Sequence, residues 1–277
     1  MPDQVLDQVA ELVREVAHTI VLPRFRRLAD DEVHQKAPGD LVTIADQESE
    51  RALTRGLTAL LPGSVVVGEE AVAADPKVRD RLGGSGAVWI VDPVDGTNNF
   101  AAGKTPFCVM VALLRGGETC AAWILDVIGD HLTVAEAGSG AYRDGVRVKT
   151  RADDPGPAGL QGVISHKYLP DQLRERVRAN AVALGGHTAG RHCAGYEYPA
   201  VATDEQQFAM FWRILPWDHV PGTLIVREAG GVARHLDGAD YRPTDRRRGL
   251  LVAANEDIWQ TVHGTLFPDG PPPADPT

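Results

Sequence analysis

The stretch WIVDPVDGTNNF occupies residues 89–100 and joins a hydrophobic run to a turn that contains two aspartates. The apolar residues from 87 to 91 predict a buried strand, which would deliver Asp92 and Asp95 to one edge of a sheet. Gly96 permits a tight turn, so the N–H groups after Asp95 can point together toward an anion. Carboxylates beside free amides suit a metal-bound phosphate.

Two other predicted elements also have acidic residues at their ends. Glu69 and Glu70 follow a predicted strand at 65–67, and Asp218 opens a predicted helix over 218–229. We predict that Asp218 is the N-cap of that helix, where its side chain would bind backbone amides or a metal ion. Oxygen ligands of this kind favour magnesium or manganese over zinc, which prefers histidine or cysteine.

The composition limits the partners that this chain would bind. Its 277 residues are 43% hydrophobic, which is enough to bury one large core or two smaller ones. The formal net charge of -10 would repel nucleic acids and anionic membranes, and it would repel a phosphate substrate as well. A protein of this charge that handles phosphate needs a local positive group, and cations held by carboxylates would supply it.

Cysteine usage and the N-terminal pattern predict a cytoplasmic protein. The three cysteines, Cys108, Cys120 and Cys193, show no CxxC spacing, so no disulfide is expected. The first residues carry charges every few positions and therefore lack the apolar core of a signal peptide. No apolar span approaches the length of about twenty residues that a transmembrane helix needs.

The spacing of apolar residues predicts an α+β first half and an α/β second half. The first half would contain helices over 3–28 and 45–61, then strands at 65–67, 87–91, 107–114, 119–127 and 131–135. Beyond the turn-rich segment 153–159 we predict strands at 162–165, 208–214 and 250–254, helices at 171–184 and 218–229, and a last helix capped by Asn255.

These elements predict two subdomains, over 1–152 and 153–266. The first would carry most of the metal ligands, and the second would carry Asp218 and the residues that select the substrate. Residues 267–277 are rich in proline and acid and would form a flexible tail.

Three of these motifs together resemble the inositol monophosphatase family in their order and spacing: Gly68-Glu69-Glu70, DPVDGTNNF at 92–100, and Trp217-Asp218. The segments 41–46 and 228–231 also match, and the resemblance extends over about residues 5–265. It implies a layered αβαβα sandwich of the sugar-phosphatase type, with two subdomains in one compact unit. It also implies a magnesium-dependent, lithium-sensitive phosphomonoesterase that acts on a small phosphorylated metabolite and forms a homodimer.

The resemblance further implies the roles of individual residues. Two or three magnesium ions per subunit would be bound by Glu69, Asp92, the carbonyl group of Val94, Asp95 and Asp218. Asp92 would bridge two ions, and a third, weaker ion would lie near Glu69. The residues implied in catalysis are Thr97 and Asp46, which would orient the attacking water and accept its proton, together with Glu69. The amides of Gly96 and Thr97 would hold phosphate oxygens.

The substrate-binding segments depart from the family pattern. Inositol-specific members have a glutamate seven residues before the aspartate of the WD motif, and this chain has Phe211 there. A Gly-Thr-Ala segment of those members is altered at 194–198, where Glu197 could replace the lost hydroxyl acceptor. Arg213 could bind a second anionic group on the substrate. The predicted substrate contacts are accordingly Asp95, Gly96, Thr97, Gly195, Glu197 and Arg213.

The sequence leaves the substrate open. Candidates are inositol phosphates, histidinol phosphate, other sugar or polyol phosphates, and nucleotides such as adenosine bisphosphate. Two functions of other classes also remain: a metal-binding or scaffold protein that retains the fold without turnover, and an assembly role for the N-terminal helices. His219, beside Asp218, is interpreted as a packed or solvent-facing ring rather than as an acid or a metal ligand.

Overall fold

The computed structural model describes residues 3–37 and 39–272. The helices are α1 (Asp3–Val16), α2 (Leu22–Arg24), α3 (Ile44–Leu60), α4 (Glu69–Ala74), α5 (Thr97–Ala101), α6 (Asp171–Ala181), α7 (Ala194–Ala202), α8 (Pro216–Glu228) and α9 (Glu256–Leu266). The strands are β1 (Val33–Ala37), β2 (Asp40–Thr43), β3 (Val65–Gly68), β4 (Ala87–Asp95), β5 (Cys108–Arg115), β6 (Glu118–Asp126), β7 (His131–Glu136), β8 (Gly140–Arg143), β9 (Val146–Val148), β10 (Gln161–Ile164), β11 (Gly186–Thr188), β12 (Phe208–Phe211), β13 (Val232–His235) and β14 (Leu250–Ala253).

Two β-sheets and three helical layers alternate through the molecule. Strands β3 to β9 form a seven-stranded sheet in sequence order, and the five-stranded sheet has the order β11-β10-β12-β14-β13. Apolar side chains of α1 and α3 pack on one face of the larger sheet. Helices α7 and α8 lie between the two sheets, and α6 and α9 cover the outer face of the smaller sheet. The predicted αβαβα sandwich is confirmed.

The pairing of β3, β4 and β5 brings the acidic segments together. Because β3 runs parallel to β4, with Gly68 opposite Val91, the residue that follows β3 lies beside the acidic end of β4. The register between β4 and the antiparallel β5 shifts between Asp92 and Asp95, so the regular ladder ends where these two aspartates lie. All of β4 from residue 88 onward is buried, as expected for a strand with helices on both faces.

The N-terminal helix ends earlier than predicted. A π-helical turn at Ala17–Val21 joins α1 to α2, and the backbone leaves the helical conformation at Phe25 rather than at residue 28. The ring of Phe25 packs against Phe100 and Phe107, at centroid distances of 5.9 and 4.8 Å. The helix therefore ends at the residue whose side chain packs on these two aromatic rings.

Several short elements are absent from the sequence prediction, namely the hairpin β1–β2, helices α4, α5 and α7, and strands β8, β9, β11 and β13. Helix α7 contains Gly195 and Pro199, which both lower helix propensity. It is stabilised by packing instead, since Tyr198 lies so close to Gly222 of α8 that an added Cβ would be 2.0 Å from the tyrosine ring.

Other boundaries differ by a few residues. The strand predicted at 208–214 ends at Phe211, and the helix predicted at 171–184 ends at Ala181. The predicted cap of the last helix is confirmed, because the side chain of Asn255 accepts the N–H of Ile258 at 2.8 Å.

The two sheets divide along the chain between Val148 and Gln161. The subdomain boundary at residue 153 falls in this interval and stays a prediction. Phe267, the first residue of the predicted tail, is buried against the core beside α9, while residues 273–277 lie outside the described part of the chain. No helix in residues 3–37 and 39–272 is long and apolar enough to cross a membrane.

Candidate active site

One cavity, with a volume of about 150 Å³, is lined by at least one acidic residue from each of the three motifs. Glu69 is the first residue of α4, Asp92 and Asp95 lie at the end of β4, and Asp218 lies in the first turn of α8. All four line the cavity together with Val94. The fold thus gathers every residue that the sequence predicts as a metal ligand.

The prediction that Asp218 caps α8 is wrong. The helix begins at Pro216 with Leu215 as its N-cap, so Asp218 is its third residue. Pro216 accounts for the earlier start, because its fixed φ suits the first helical position and it has no N–H to satisfy. The side chain of Asp218 lines the cavity with Asp92 and Asp95 instead.

Burial and mutual repulsion make these acids costly to ionise together. Asp92 is 1% exposed; burial raises its pKa well above the usual value, and the charges of Glu69, Asp95 and Asp218 raise it further. Burial raises the pKa of Asp95 to about 6. The pKa of Asp218 is also raised by burial and then by its acidic neighbours. A bound cation would oppose the repulsion because it supplies the opposite charge.

Backbone N–H groups already donate hydrogen bonds to two of these carboxylates, those of Asp92 and Asp95. Asp95 Oδ2 accepts the N–H of Gly195 at 2.6 Å, and Asp92 Oδ1 accepts the N–H of Val94 at 3.1 Å. In the described part of the chain, no group of three or more His, Cys, Asp or Glu side chains is arranged to hold a metal ion.

Lys36 places a positive charge on one of the predicted ligands. Its Nζ lies 2.9 Å from Oε1 of Glu69 and also pairs with Glu70. Glu69 is therefore a carboxylate that already has a cationic partner. Four carboxylates and a carbonyl oxygen are the hard donors that magnesium prefers, so the residues fit this ion in their chemistry. Lys36 contacts Glu69 through Oε1, and a carboxylate can bind a metal ion through its other oxygen.

Thr97 lines the cavity and contacts Asp46, which is fully buried. Thr97 Oγ1 lies 3.0 Å from Asp46 Oδ1 and 2.9 Å from the carbonyl oxygen of Val94. Asp46 Oδ2 accepts hydrogen bonds from the backbone N–H and the hydroxyl of Thr43, at 2.8 and 2.6 Å. Burial raises the pKa of Asp46 to about 7, although the bonds from Thr43 act in the opposite direction.

Gly96 lies in the left-handed conformation, with φ of 88°. An added Cβ there would be 3.1 Å from the carbonyl oxygen of Pro106, so both the conformation and the space favour glycine. Gly96 is the N-cap of the five-residue helix α5, which begins at Thr97. The backbone of both predicted phosphate-contact residues therefore turns at the cavity wall, as the sequence predicts.

The other predicted substrate contacts already have partners in the protein. The amide of Gly195 binds Asp95. Glu197 is buried and lines the cavity, but Oε1 accepts the N–H of Arg191 at 2.8 Å and Oε2 accepts a hydrogen bond from Gln206 at 3.1 Å. Both carboxylate oxygens of Glu197 therefore already accept a hydrogen bond from the protein. Its role as an acceptor for substrate hydroxyls stays a prediction.

His219 is a packed ring, which is one of the two alternatives that the sequence leaves open. Its Nδ1 lies 2.7 Å from the hydroxyl of Tyr198, and its Nε2 lies 3.0 Å from the carbonyl oxygen of Arg213. Burial lowers the pKa of His219 to about 3, so the ring is neutral at pH 7. A neutral ring that donates from Nε2 and accepts at Nδ1 satisfies both contacts.

Sequence reasoning missed Glu50, which holds the start of α4. Its two carboxylate oxygens accept the N–H groups of Glu70 and Ala71 at 2.7 and 2.8 Å. Burial raises the pKa of Glu50 to about 7. A signal was available in the sequence, because Glu50 shares the helical spacing of the buried residues Leu53 and Leu57.

Comparison with known proteins agrees with this architecture. The model of the inositol monophosphatase family matches residues 1–268. The chain belongs to this family. Residues 1–268 therefore have the fold of this family, and membership of the family supports phosphatase activity.

Relatives within the inositol monophosphatase family carry several names. An inositol-1-monophosphatase of Bacillus subtilis is 27% identical over 93% of this chain and 94% of its own length. A fructose-1,6-bisphosphatase/inositol-1-monophosphatase of Thermotoga maritima is 28% identical over 85% of this chain and 86% of its own. Among solved structures, the extragenic suppressor protein suhB of Bartonella henselae superposes with a TM-score of 0.80, at 25% identity, over 95% of this chain and 98% of that one.

Proposed function

We propose that this protein hydrolyses a small-molecule phosphate monoester in a magnesium-dependent reaction, for which bound magnesium would supply the activation of a water molecule. The observation that carries the proposal is the convergence of four carboxylates in one cavity, beside the hydrogen-bonded pair of Thr97 and Asp46. Family membership supports the phosphatase class, and the residues support the site.

The groups that would hold two or three magnesium ions are the carboxylates of Glu69, Asp92, Asp95 and Asp218 and the carbonyl oxygen of Val94. Bound magnesium would lower the pKa of a water molecule and neutralise charge on the phosphoryl group. Burial, and then the charges of neighbouring acids, raise the pKa of Asp92 and Asp218. These shifts support the assignment, because a bound cation would lower the cost of ionising carboxylates that lie so close together.

Thr97 and Asp46 would act on the attacking water. The hydroxyl of Thr97 can accept a hydrogen bond from the water while it donates its own proton toward Asp46, 3.0 Å away. Thr43 holds the other oxygen of Asp46 through two hydrogen bonds, which fixes the orientation of the carboxylate. The turn at Gly96 would place backbone amides against phosphate oxygens.

The substrate would be a small phosphorylated metabolite. Inositol, histidinol, sugar and nucleotide phosphates are the candidates, and one relative's name includes a bisphosphatase activity on a sugar. We also propose that the protein works in the cytoplasm as a homodimer and that lithium inhibits it. The homodimer and the inhibition by lithium rest on the resemblance to the family, and the cytoplasmic location rests on the cysteine usage and the N-terminal pattern.

Phosphate release from a panel of such compounds tests the function. The wild-type protein and the Asp92→Asn variant would be assayed with magnesium and with EDTA. We expect magnesium-dependent release that the variant loses. Absence of release from every compound, combined with a magnesium-induced rise in the melting temperature, would instead favour a metal-binding protein without turnover.

A further inference from the structure

A group of polar and aromatic residues forms a second wall of the same cavity. It contains Lys167 and Tyr168, which follow β10, Arg213, which follows β12, and Asp40, the first residue of β2. β10 and β12 are parallel neighbours, so the segments after them emerge at the same edge of the sheet. We call these four residues the basic wall.

Asp40 and Tyr168 hold the guanidinium group of Arg213 in place. Arg213 Nη1 forms an ion pair with Asp40 Oδ2, and the hydroxyl of Tyr168 donates to Asp40 Oδ1 at 2.8 Å. The guanidinium carbon lies 4.0 Å from the centre of the Tyr168 ring, within the range of a cation–π contact. An arginine fixed by a charge and by an aromatic face loses little entropy when it binds a ligand.

The guanidinium group keeps donors for a ligand. Of the five N–H donors that an arginine carries, only those on Nη1 bind a protein acceptor among the described residues. The side chain is 29% exposed and lines the cavity. Nε and Nη2 are therefore the donors that a bound molecule would use.

The charges of the basic wall favour an anion. Lys167 Nζ lies 3.5 Å from Asp40 Oδ1 and 3.1 Å from the carbonyl oxygen of Gly39. Lys167 and Arg213 together outweigh the single carboxylate of Asp40 by one positive charge. The neighbouring wall offers few acceptors for substrate hydroxyls. Phe211 occupies the position at which inositol-specific members of the family have a glutamate. Both oxygens of Glu197 already accept hydrogen bonds from the protein.

We infer that Arg213 and Lys167 form a subsite for a second anionic group, a carboxylate or a phosphate, on the leaving-group portion of the substrate. Asp40 and Tyr168 are the positioning residues of this subsite. The inference rests on the proposed phosphatase function and narrows it to phosphomonoesters that carry another negative charge. A planar guanidinium with adjacent free donors binds such groups through paired hydrogen bonds.

A matched pair of substrates tests the subsite. The first pair is 3-phosphoglycerate and glycerol 3-phosphate, in which a carboxylate replaces a hydroxymethyl group. The second pair is fructose 1,6-bisphosphate and fructose 6-phosphate, which differ by one phosphate group. The ratio of kcat/KM within each pair would be measured for the wild type, Arg213→Gln and Arg234→Gln. Arg234 is the control because its side chain is also 29% exposed, pairs with an aspartate and lies near an aromatic ring, but outside the cavity.

We expect Arg213→Gln to lower the preference for the more anionic member by about tenfold or more, mainly through KM. Arg234→Gln should leave the ratio at the wild-type value. Tyr168→Phe, which removes the hydrogen bond to Asp40, should lower the ratio by a smaller factor. A ratio that Arg213→Gln leaves unchanged, or that Arg234→Gln lowers equally, would overturn the inference.

Direct binding separates this inference from the proposed function. If the wild type hydrolyses none of the four compounds, the phosphatase proposal fails for them, and binding of 3-phosphoglycerate in EDTA would be followed by calorimetry. Binding that is weakened by Arg213→Gln and not by Arg234→Gln would still support the subsite. Equal binding by all three proteins would contradict it.

Discussion

The hydroxyl oxygen of Thr97 lies 3.0 Å from Oδ1 of Asp46, although 51 residues separate them in sequence. Asp46 belongs to the first turn of α3, and Thr97 opens α5 after the left-handed turn at Gly96. The contact therefore depends on how α3 packs against β4, since that packing brings the two helix starts to one point.

Thr97→Val should abolish most of the activity while it preserves the fold. Valine has nearly the shape of threonine but cannot pass a proton to Asp46, so we expect kcat to fall by about 100-fold or more. Thr223→Val is the matched control, because Thr223 is also buried and donates to the carbonyl oxygen three residues earlier, in α8. Initial rates of phosphate release for both variants check this. Equal rates for Thr97→Val and the wild type would remove Thr97 from the mechanism.

Asp218→Asn should reduce the stabilisation that magnesium gives. A ligand that binds only the native state at 100 times its Kd stabilises it by about 2.7 kcal/mol, and loss of one carboxylate weakens that binding. Asp171→Asn is the control for net charge, because the side chain of Asp171 is 90% exposed in its ion pair with Arg174. Melting temperatures would be compared with magnesium and with EDTA. A full magnesium-induced shift in Asp218→Asn would exclude Asp218 as a ligand.

The metal-free protein should lose stability as the pH rises from about 5 to about 7. Burial raises the pKa of Glu50 from 4.5 to about 7. The folded protein therefore retains a proton in this interval that the unfolded chain has released. Each unit of the raised pKa corresponds to about 1.4 kcal/mol, so the free energy of unfolding falls with pH until the folded group has ionised. Asp46, with a pKa of about 7, contributes in the same direction.

Urea unfolding at several pH values in EDTA would measure this dependence, with Glu50→Gln as the variant that removes one of the acids whose pKa is raised. We expect a smaller slope for Glu50→Gln than for the wild type between pH 5 and pH 7. A free energy of unfolding that rises over this interval would contradict the assignment of buried, protonated acids.

Gly222→Ala should destabilise the protein, and Gly264→Ala should not. A Cβ at Gly222 would be 2.0 Å from the ring of Tyr198, whereas a Cβ at Gly264 would meet no atom within 4 Å. Overpacking of this kind costs about 1–3 kcal/mol, while alanine at an open helical position stabilises by about 0.5–1 kcal/mol. Both glycines lie inside helices, α8 and α9, so thermal unfolding of the two variants isolates the effect of packing. Similar melting temperatures for the two variants would show that α7 can move away from α8.

Local patterns in the sequence were sufficient for the elements with regular apolar spacing. The buried strand β4, the helix α3 and the cap at Asn255 all follow from side-chain periodicity or from capping chemistry, which act over a few residues. The start of α8 shows the limit of such reasoning, because Asp218 and Pro216 both have local preferences for a helix N-terminus and the proline prevails.

The sequence by itself determined the family, the layered fold and the set of acids that share the cavity, because these depend on motifs whose residues are close together in the chain. Only the tertiary structure decided the partners of those acids and the composition of the opposite wall. Arg213 and Asp40 are 173 residues apart, and Glu50 reaches the start of α4 across 20 residues. Such contacts arise from the packing of sheets and helices, which no local pattern of residues specifies.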